Sequence, residues 1–241
     1  MGSGEQALPQ QIAVVTGAGR GVGRAIAIRL AEMGATVVLV ARDADRINGV
    51  RREIEAAGGA AETAACDLLD VEAIAALGER VQAEHGRCDI LVNNAAIGSY
   101  GTPLHETPLE DWQRLIDTNL RGPYLTIRAF APMMIAARRG HIVNISSLAG
   151  KNPLPNGAAY SASKWGLNGL TYSVAEELRG YGVRVSVVAP GSVNTHFGPG
   201  SPVKDPLKKI QPNDLASVVA LLVTQPPQSF ISEVLVRPTE K

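Results

Sequence analysis

Short runs of β-branched and aliphatic residues alternate along the chain with longer segments in which apolar residues recur every three or four positions. The short runs are typical of buried strands, and the longer segments are typical of amphipathic helices. The pattern predicts five clear strands at 12–16, 36–40, 90–92, 141–145 and 183–188, and two weaker strands at 60–66 and 233–236. Helical spacing covers 23–33, 45–57, 71–84, 109–137 and 158–178.

This regular alternation of strand and helix predicts an α/β fold. The strands are apolar along almost their whole length, as expected when helices cover both faces of a parallel sheet. We therefore predict a three-layer Rossmann fold with a doubly wound parallel sheet of seven strands. A chain of 241 residues fits one such domain over 10–241, after a disordered lead-in at 1–9. The Gly/Pro-rich stretch at about 192–212 is predicted to be a substrate loop.

Charge balance and composition argue against several kinds of partner. The 23 basic and 23 acidic residues leave no excess charge that would favour nucleic acid or an anionic membrane. No apolar run is long enough to span a bilayer and no secretory signal is recognised, which predicts a cytoplasmic protein. Cys66 and Cys88 are expected to be reduced thiols. The four histidines lack metal-ligand spacing and are expected at the surface, with no metal, although His196 falls in the predicted substrate loop.

A glycine-rich loop follows the first predicted strand, in Thr16-Gly-Ala-Gly-Arg-Gly-Val-Gly23. Glycines at 17, 21 and 23 would permit a tight turn, close approach of a pyrophosphate to the backbone, and close packing of helix on strand. A phosphate at the start of the next helix would face the positive end of its dipole. The spacing differs from the G-x-G-x-x-G fingerprint, but its place between the first strand and the first helix predicts a dinucleotide site.

The end of the second predicted strand bears on which dinucleotide binds. NAD sites usually have an acid here for the ribose 2′-hydroxyl, whereas a 2′-phosphate is held by arginine. Ala41 ends this strand and Arg42 follows it, while Arg20 in the glycine loop would supply a second cation. We therefore predict NADP(H) as the cofactor. Asp43 keeps NAD as the less favoured alternative.

Tyr160 and Lys164 stand one helical turn apart, so their side chains share a helix face. Such pairs are also common on helix surfaces, where an aromatic ring packs on a lysine stem. Ser147 follows the predicted strand at 141–145 and precedes the tyrosine by thirteen residues. Ligands of open α/β sheets bind at the carboxyl ends of strands, so the serine and the tyrosine should face one crevice.

With these motifs in order, the chain resembles the short-chain dehydrogenase/reductase family from Ile12 to about Val236. The residues that carry the resemblance are Thr16-Gly-x-x-x-Gly-x-Gly23, Asp67 after the third strand, Asn93-Asn-Ala95, Asn119, Ser147, Tyr160-x-x-x-Lys164, and Pro190-Gly191 with Thr195. The resemblance implies the strand order 3-2-1-4-5-6-7. Many members carry a helical lid after the position of Thr195, so the short proline-rich segment here predicts an open pocket.

The resemblance also implies a mechanism with four catalytic residues. Tyr160 would donate a proton to a carbonyl oxygen during reduction and take it back as phenolate during oxidation. A free tyrosine has a pKa of about 10, and the nearby ammonium of Lys164 together with the oxidised nicotinamide would favour the ionised form. Lys164 would also bond the nicotinamide ribose, and Ser147 would hold the substrate oxygen. Asn119 would support a water that links Lys164 to solvent, although a buried mid-helix Asn is otherwise a locally bonded structural residue.

Further residues are implied to bind the cofactor. Asp67 would bond the adenine amino group, and Asn93 and Ala95 would line the adenosine ribose and the nicotinamide side, whereas Asn94 is expected to stabilise the sheet. The complete predicted set is Gly17, Arg20, Gly21, Val22, Gly23, Arg42, Asp67, Leu68, Asn93, Ala95, Tyr160, Lys164, Pro190, Gly191, Val193 and Thr195. The long helices at 109–137 and 158–178 resemble those through which family members form dimers and tetramers, so a homo-oligomer is expected.

The sequence thus predicts an NADPH-dependent reductase of a small carbonyl compound, or in reverse an alcohol dehydrogenase. A 3-oxoacyl-[acyl-carrier-protein] reductase is the first alternative, and a basic patch at the cleft mouth would favour it. Arg121, Arg128, Arg138 and Arg139 are candidates for that patch, or they simply solvate a helix. The alternative of another class is a non-catalytic dinucleotide-binding sensor or scaffold.

Overall fold

A parallel sheet forms the centre of the structure, a computed structural model that describes residues 7–195, 197 and 205–240. Its strand order is β3-β2-β1-β4-β5-β6-β7, which confirms the predicted fold class and order. The strands are β1 (Ile12–Thr16), β2 (Thr36–Ala41), β3 (Ala60–Ala65), β4 (Ile90–Asn93), β5 (Gly140–Ile145), β6 (Val183–Pro190) and β7 (Glu233–Val236). Every residue of β1 and β4 is buried, as expected for central strands with both faces covered.

Helices cover the two faces of the sheet. Seven α-helices are described: α1 (Gly21–Glu32), α2 (Ala44–Ala56), α3 (Val71–His85), α4 (Leu109–Ile116), α5 (Gly122–Ala137), α6 (Ala158–Leu178) and α7 (Pro212–Val223). On one face, α1, α2 and α7 bury apolar residues such as Ile26, Ile47 and Leu215 against the sheet. On the other, α3, α5 and α6 do so through residues that include Phe130 and Val174.

Two helical segments differ from the prediction. The pattern at 109–137 predicts one helix, but a π-helical turn over Asp117–Arg121 separates α4 from α5. Helix α7 was not predicted, because its Val- and Leu-rich sequence follows the irregular Gly/Pro-rich stretch. Its start nevertheless has a local signal, since Pro212 is its first residue and Gln211 and Asp214 form a capping box.

The prediction that disorder extends through residue 9 is wrong. Leu8 is 1% exposed and packs in the core beside α1. Its backbone N–H donates to the carbonyl oxygen of Met33 at 2.8 Å, and its carbonyl oxygen accepts from the N–H of Gln11. The domain therefore begins at or before Leu8, while residues 1–6 lie outside the described part of the chain.

His141 also differs from the prediction, because it is buried at the start of β5 and not at the surface. Its Nε2 lies 2.8 Å from Oγ of Ser186, and burial lowers the pKa of its imidazole to about 3. Cys66 and Cys88 are buried free thiols. Within the described ranges, none of the helices has the length and apolar character needed to cross a bilayer.

The carboxyl ends of the strands bring the candidate functional segments to one edge of the sheet. The glycine loop follows β1, Arg42 follows β2, Ser147 follows β5, and Gly191 follows β6. The predicted substrate loop is described only in part, because residue 196 and residues 198–204 lie outside the described ranges. Where the loop is described, Val193 pairs with Ile210 in a parallel bridge.

Candidate active site

The glycine loop has the backbone conformation that its sequence predicts. Gly17 and Gly21 have φ of +66° and +56°, in the left-handed region that glycine adopts without steric cost. A Cβ at Gly23 would overlap the carbonyl oxygen of Gly17, so α1 packs this closely on the strand end only with glycine there. Among the described residues, no side chain caps the start of α1. The backbone N–H groups of its first turn, Val22 included, are therefore free to bind a phosphate.

The segment after β6 lies against this loop. Thr195 places its Cγ2 3.2 Å from the point where a Cβ on Gly21 would stand. Pro190 ends β6, and the N–H of Gly191 donates to the carbonyl oxygen of Val236 at 2.8 Å. The predicted cofactor residues of this segment, which include Val193, therefore lie at the same sheet edge as the glycine loop.

Three charged residues follow β1 and β2, where the sequence predicts that the cofactor ribose binds, namely Arg20, Arg42 and Asp43. Arg20 and Arg42 are both exposed, and neither forms an ion pair within the described ranges. Asp43 instead caps α2: its Oδ1 accepts from the N–H of Arg46 at 3.1 Å, and its Oδ2 lies 2.8 Å from Nε of the same arginine. Asp43 is the residue that favours NAD as the alternative cofactor. Both of its carboxylate oxygens thus interact with Arg46 of α2.

Asp67 and Leu68 follow β3 at the same edge. The carboxylate of Asp67 is exposed and accepts from the N–H of Leu69 at 3.0 Å, which fixes it in a turn. Leu68 is buried in the core, and its Cβ lies 3.5 Å from the Cβ position of Gly122. Any cofactor contact of Leu68 is consequently left to its main chain.

The side chain of Asn93 is engaged within the core, so its predicted contact with a cofactor would be made by its main chain. It donates to Oδ1 of Asn144 at 2.9 Å and accepts from Oγ1 of Thr126 at 2.6 Å. Asn94 donates to the carbonyl oxygen of Thr16 at 3.0 Å, in agreement with its expected role in the sheet. Ala95 donates its N–H to Oγ1 of Thr16, so this threonine fixes the turn after β4.

Ser147, Tyr160 and Lys164 come together beyond the end of β5. Ser147 caps a single 3₁₀ turn by accepting from the N–H of Ala149 at 3.1 Å, and its side chain lies close enough to Tyr160 to influence the pKa of the phenol. Lys164, 2% exposed, donates from Nζ to the carbonyl oxygen of Ile145 at 3.0 Å. Its Nζ lies 5.9 Å from the centroid of the Tyr160 ring. The predicted one-turn spacing therefore brings the two side chains to one face.

Burial controls the protonation of this group. It raises the pKa of Tyr160 to about 12, while the nearby Ser147 side chain acts in the opposite direction and Tyr100 adds to the rise. Burial lowers the pKa of Lys164 to about 7. Desolvation is thus the largest influence on the pKa of Tyr160 in the protein alone. That Lys164 and an oxidised nicotinamide together favour the phenolate stays a prediction.

Asn119 lies in the π-helical turn and is completely buried. Its Oδ1 accepts from the N–H of Ile97 at 2.9 Å, and its Nδ2 donates to the carbonyl oxygen of Ile97 and to Oγ of Ser163. Ser163 in turn donates to the carbonyl oxygen of Tyr160 at 2.7 Å. The Asn119 side chain therefore joins the loop after β4 to α6, and the water relay to Lys164 stays a prediction.

Two aromatic residues that the sequence did not single out surround Tyr160. The ring centroids of Tyr100 and Phe197 lie 6.4 Å and 6.0 Å from that of Tyr160, both in edge-to-face geometry. Tyr160 is 6% exposed. The predicted open pocket concerns the segment after Thr195, which lies largely outside the described residues, and it stays a prediction. A signal existed in the composition, because a chain with only ten aromatic residues, 2 Trp, 5 Tyr and 3 Phe, has one in each of two loops at this edge.

Other predicted candidates lie elsewhere. His196 falls outside the described residues. Arg138 donates to the carbonyl oxygen of Gly180, and Arg139 binds the carboxylate of Asp89, both at the amino ends of the strands and so opposite the site. Among the described residues, a cluster near β3 has side chains of the types that bind metal ions, namely Glu62, Glu84 and His85. Its imidazole already lies 3.2 Å from a carboxylate oxygen of Glu62.

A doubly wound parallel sheet, an uncapped first helix behind a glycine loop, and a Ser-Tyr-Lys group at the carboxyl edge together define a Rossmann-fold oxidoreductase. The chain belongs to the short-chain dehydrogenase family, whose model matches residues 11–202.

Similar proteins agree with this assignment. A metagenomic short-chain oxidoreductase, solved in complex with NADP, is 60% identical, with a TM-score of 0.87 over 97% of this chain and 99% of that one. An alcohol dehydrogenase from the archaeon Thermococcus sibiricus, solved with 5-hydroxy-NADP, is 29% identical, with a TM-score of 0.90 over 96% and 98%. A 3-oxoacyl-[acyl-carrier-protein] reductase of Synechocystis sp. is 37% identical over 94% of each chain.

Proposed function

We propose that this protein is an NADPH-dependent reductase that interconverts a ketone or aldehyde and its alcohol, with Tyr160 as the general acid and base. The observation that carries the proposal is the grouping of Ser147, Tyr160 and Lys164 at the sheet edge that also bears the glycine loop. Thr195 and Phe197 support it further, because one lies against Gly21 and the other against the ring of Tyr160.

The protonation states suit proton donation at neutral pH. With its pKa raised to about 12, the Tyr160 hydroxyl keeps its proton and can give it to a carbonyl oxygen. Ser147 would bond the same oxygen, and the Lys164 ammonium would offset the charge left on the phenolate. Bound NADPH would supply the hydride. The hydrogen bond from Lys164 to Ile145 fixes the position of that ammonium beforehand.

The residues at the cofactor site fit a nucleotide with a 2′-phosphate. Gly17, Gly21 and Gly23 form a turn in which side chains would be strained or would overlap the backbone. Arg20 and Arg42 are exposed guanidinium groups at that end of the sheet, and Asp43 is occupied in capping α2. The NADP complex of a solved relative at 60% identity supports the same choice.

The decisive experiment compares Tyr160→Phe with the wild-type protein. NADPH and NADH consumption is followed across ketones, quinones and acyl thioesters, and NADPH binding is measured by fluorescence. We expect the variant to lose roughly 10²- to 10⁴-fold in turnover, as for loss of a general acid, and to keep its NADPH affinity. Tyr181→Phe, at an exposed tyrosine, is the matched control. Unchanged turnover in Tyr160→Phe would refute the proposal, and a protein that binds NADPH without turnover would be a sensor or scaffold.

A 3-oxoacyl-[acyl-carrier-protein] reductase is the second candidate, favoured by the 37% identical relative of that name. The basic patch that would support it is weaker than the sequence suggests, because Arg138 and Arg139 lie at the opposite edge of the sheet. Acetoacetyl groups on the carrier protein and on a short thioester distinguish the two. A preference for the carrier-bound form would establish this second function.

We also propose a homo-oligomer. Large apolar side chains are exposed on α5 and α6, namely Tyr124, Trp165 and Tyr172, and would be covered by a second copy. Light scattering coupled to size exclusion gives the mass directly. A monomer at micromolar concentration would overturn this expectation.

A further inference from the structure

Tyr100 and Phe197 join two loops across the mouth of the site. Tyr100 lies in the loop after β4, and Phe197 lies beyond the end of β6. The Tyr100 hydroxyl donates to the carbonyl oxygen of Phe197 at 3.0 Å. Together with the two edge-to-face contacts on Tyr160, this bond makes an aromatic enclosure of three rings.

The surrounding backbone is shaped for this enclosure. A Cβ at Gly98 would stand 2.7 Å from Cε1 of Phe197, so a larger residue there would require that ring to move. The N–H of Gly101 donates to the carbonyl oxygen of Asn156 at 2.7 Å, which fixes the Tyr100 loop to the segment that leads into α6. Tyr100 is thus held next to the segment that precedes α6, the helix on which Tyr160 lies.

The enclosure limits what can reach the Tyr160 hydroxyl. A carbonyl group that accepts its proton must come within hydrogen-bond distance, and its substituents must then lie against Tyr100 or Phe197. Ile97, Trp112 and Leu154 add apolar surface beside the Tyr160 cluster. The amine of Lys164 is the charged neighbour named above, with its Nζ 5.9 Å from the centroid of the Tyr160 ring.

We propose that Tyr100 and Phe197 are specificity-determining residues that select ketones carrying an aryl group next to the carbonyl. The inference rests on the proposed reductase function and adds the substrate class. A bound aryl ring would replace the edge-to-face contacts that the two side chains now make with Tyr160, whereas an alkyl chain would only fill the space. Aromatic pairing would favour the aryl ketone by roughly two- to tenfold per ring contact.

The test measures kcat/KM with NADPH for acetophenone and for octan-2-one, which have the same number of non-hydrogen atoms. The proteins are the wild type, Tyr100→Leu, Phe197→Leu and Tyr100→Phe, with Tyr181→Leu as a control at a similarly exposed tyrosine. Circular dichroism and NADPH affinity establish that each variant is folded.

We expect the wild type to prefer acetophenone over octan-2-one. Each Leu variant should reduce the preference over octan-2-one by roughly two- to tenfold, whereas Tyr100→Phe, which keeps the ring, and Tyr181→Leu should retain it. The proposed selection of aryl ketones is overturned if both Leu variants keep the wild-type ratio of kcat/KM for acetophenone to that for octan-2-one, or if the wild type prefers octan-2-one. The reductase function would stand in either case. If no carbonyl compound is reduced at all, the proposed function itself fails.

Discussion

The Nζ atom of Lys164 lies 5.9 Å from the centroid of the Tyr160 ring, and both side chains are buried. Burial opposes the charge on each of them. It lowers the pKa of the amine to about 7 and raises the pKa of the phenol to about 12. Ionising either side chain therefore costs free energy in the protein alone. Each of the two pKa shifts has a measurable consequence.

The buried amine of Lys164 should lower the free energy of unfolding by an amount that depends on pH. Its folded pKa lies below its unfolded value of 10.5, so the unfolded state holds more protons between about pH 7 and 10.5, and stability rises with pH across that window. Lys164→Met should therefore be more stable than the wild type at pH 6. That advantage should shrink by roughly 2–3 kcal/mol between pH 6 and 9, as measured by urea unfolding. Lys208→Met, at an exposed lysine, should show no such trend; a constant advantage for Lys164→Met would contradict the argument.

Tyr160 should make the two directions of the reaction differ in their pH dependence. Alcohol oxidation begins from the phenolate, which is scarce below the raised pKa, so log kcat/KM for oxidation should rise by about one per pH unit from pH 7 to 9. Ketone reduction uses the protonated phenol, which persists over this range, but its rate should fall toward pH 9 as Lys164, with a pKa of about 7, loses the charge that offsets the phenolate. Steady-state rates in both directions provide the measurement. An oxidation profile that is flat from pH 7 to 9 would show that Tyr160 is not the base.

Arg20 and Arg42 should distinguish NADPH from NADH. Replacing either with Ala removes a cation for the 2′-phosphate and should raise KM for NADPH roughly tenfold, while KM for NADH changes little. Arg52→Ala, an exposed arginine of α2, is the matched control. Equal effects on both cofactors would mean that the two arginines contact neither nucleotide through that phosphate.

Gly23 and Gly49 form a matched pair for the glycine loop. A Cβ at Gly23 would overlap Gly17 and the Asn94 amide, so Gly23→Ala should cost about 2 kcal/mol of stability and weaken NADPH binding. Gly49 lies within α2 with open space around its Cβ position, so Gly49→Ala should stabilise by about 0.5–1 kcal/mol. Urea unfolding and fluorescence titration test both. Equal stability of the two variants would contradict the close packing described here.

The sequence predicts most of the strands well because they are runs rich in β-branched residues between polar turns, whereas β3 (Ala60–Ala65) has only Thr63 of that type. β1 and β7 begin and end at the predicted residues, and β6 extends two residues further, to Pro190. The π-helical turn at Asp117–Arg121 has no such signal, since the apolar spacing continues through it. Its position depends on Asn119, whose side-chain partners Ile97 and Ser163 are distant in the sequence.

The site was predictable where the chemistry is local and not where it depends on packing. The one-turn spacing of Tyr160 and Lys164 brings them together as expected. Their pKa shifts depend on burial, to which Tyr100 and Phe197 contribute from two separate loops. Asn93 illustrates the same limit, because its side chain is engaged by Asn144 and Thr126, which lie on other elements.

The capping role of Asp43 restricts any redesign of the cofactor preference. Its carboxylate holds the first turn of α2 through Arg46, so recruiting it for a ribose hydroxyl would loosen that helix. A variant meant to accept NADH would do better with a new acid at position 41 or 42, which leaves the existing cap in place.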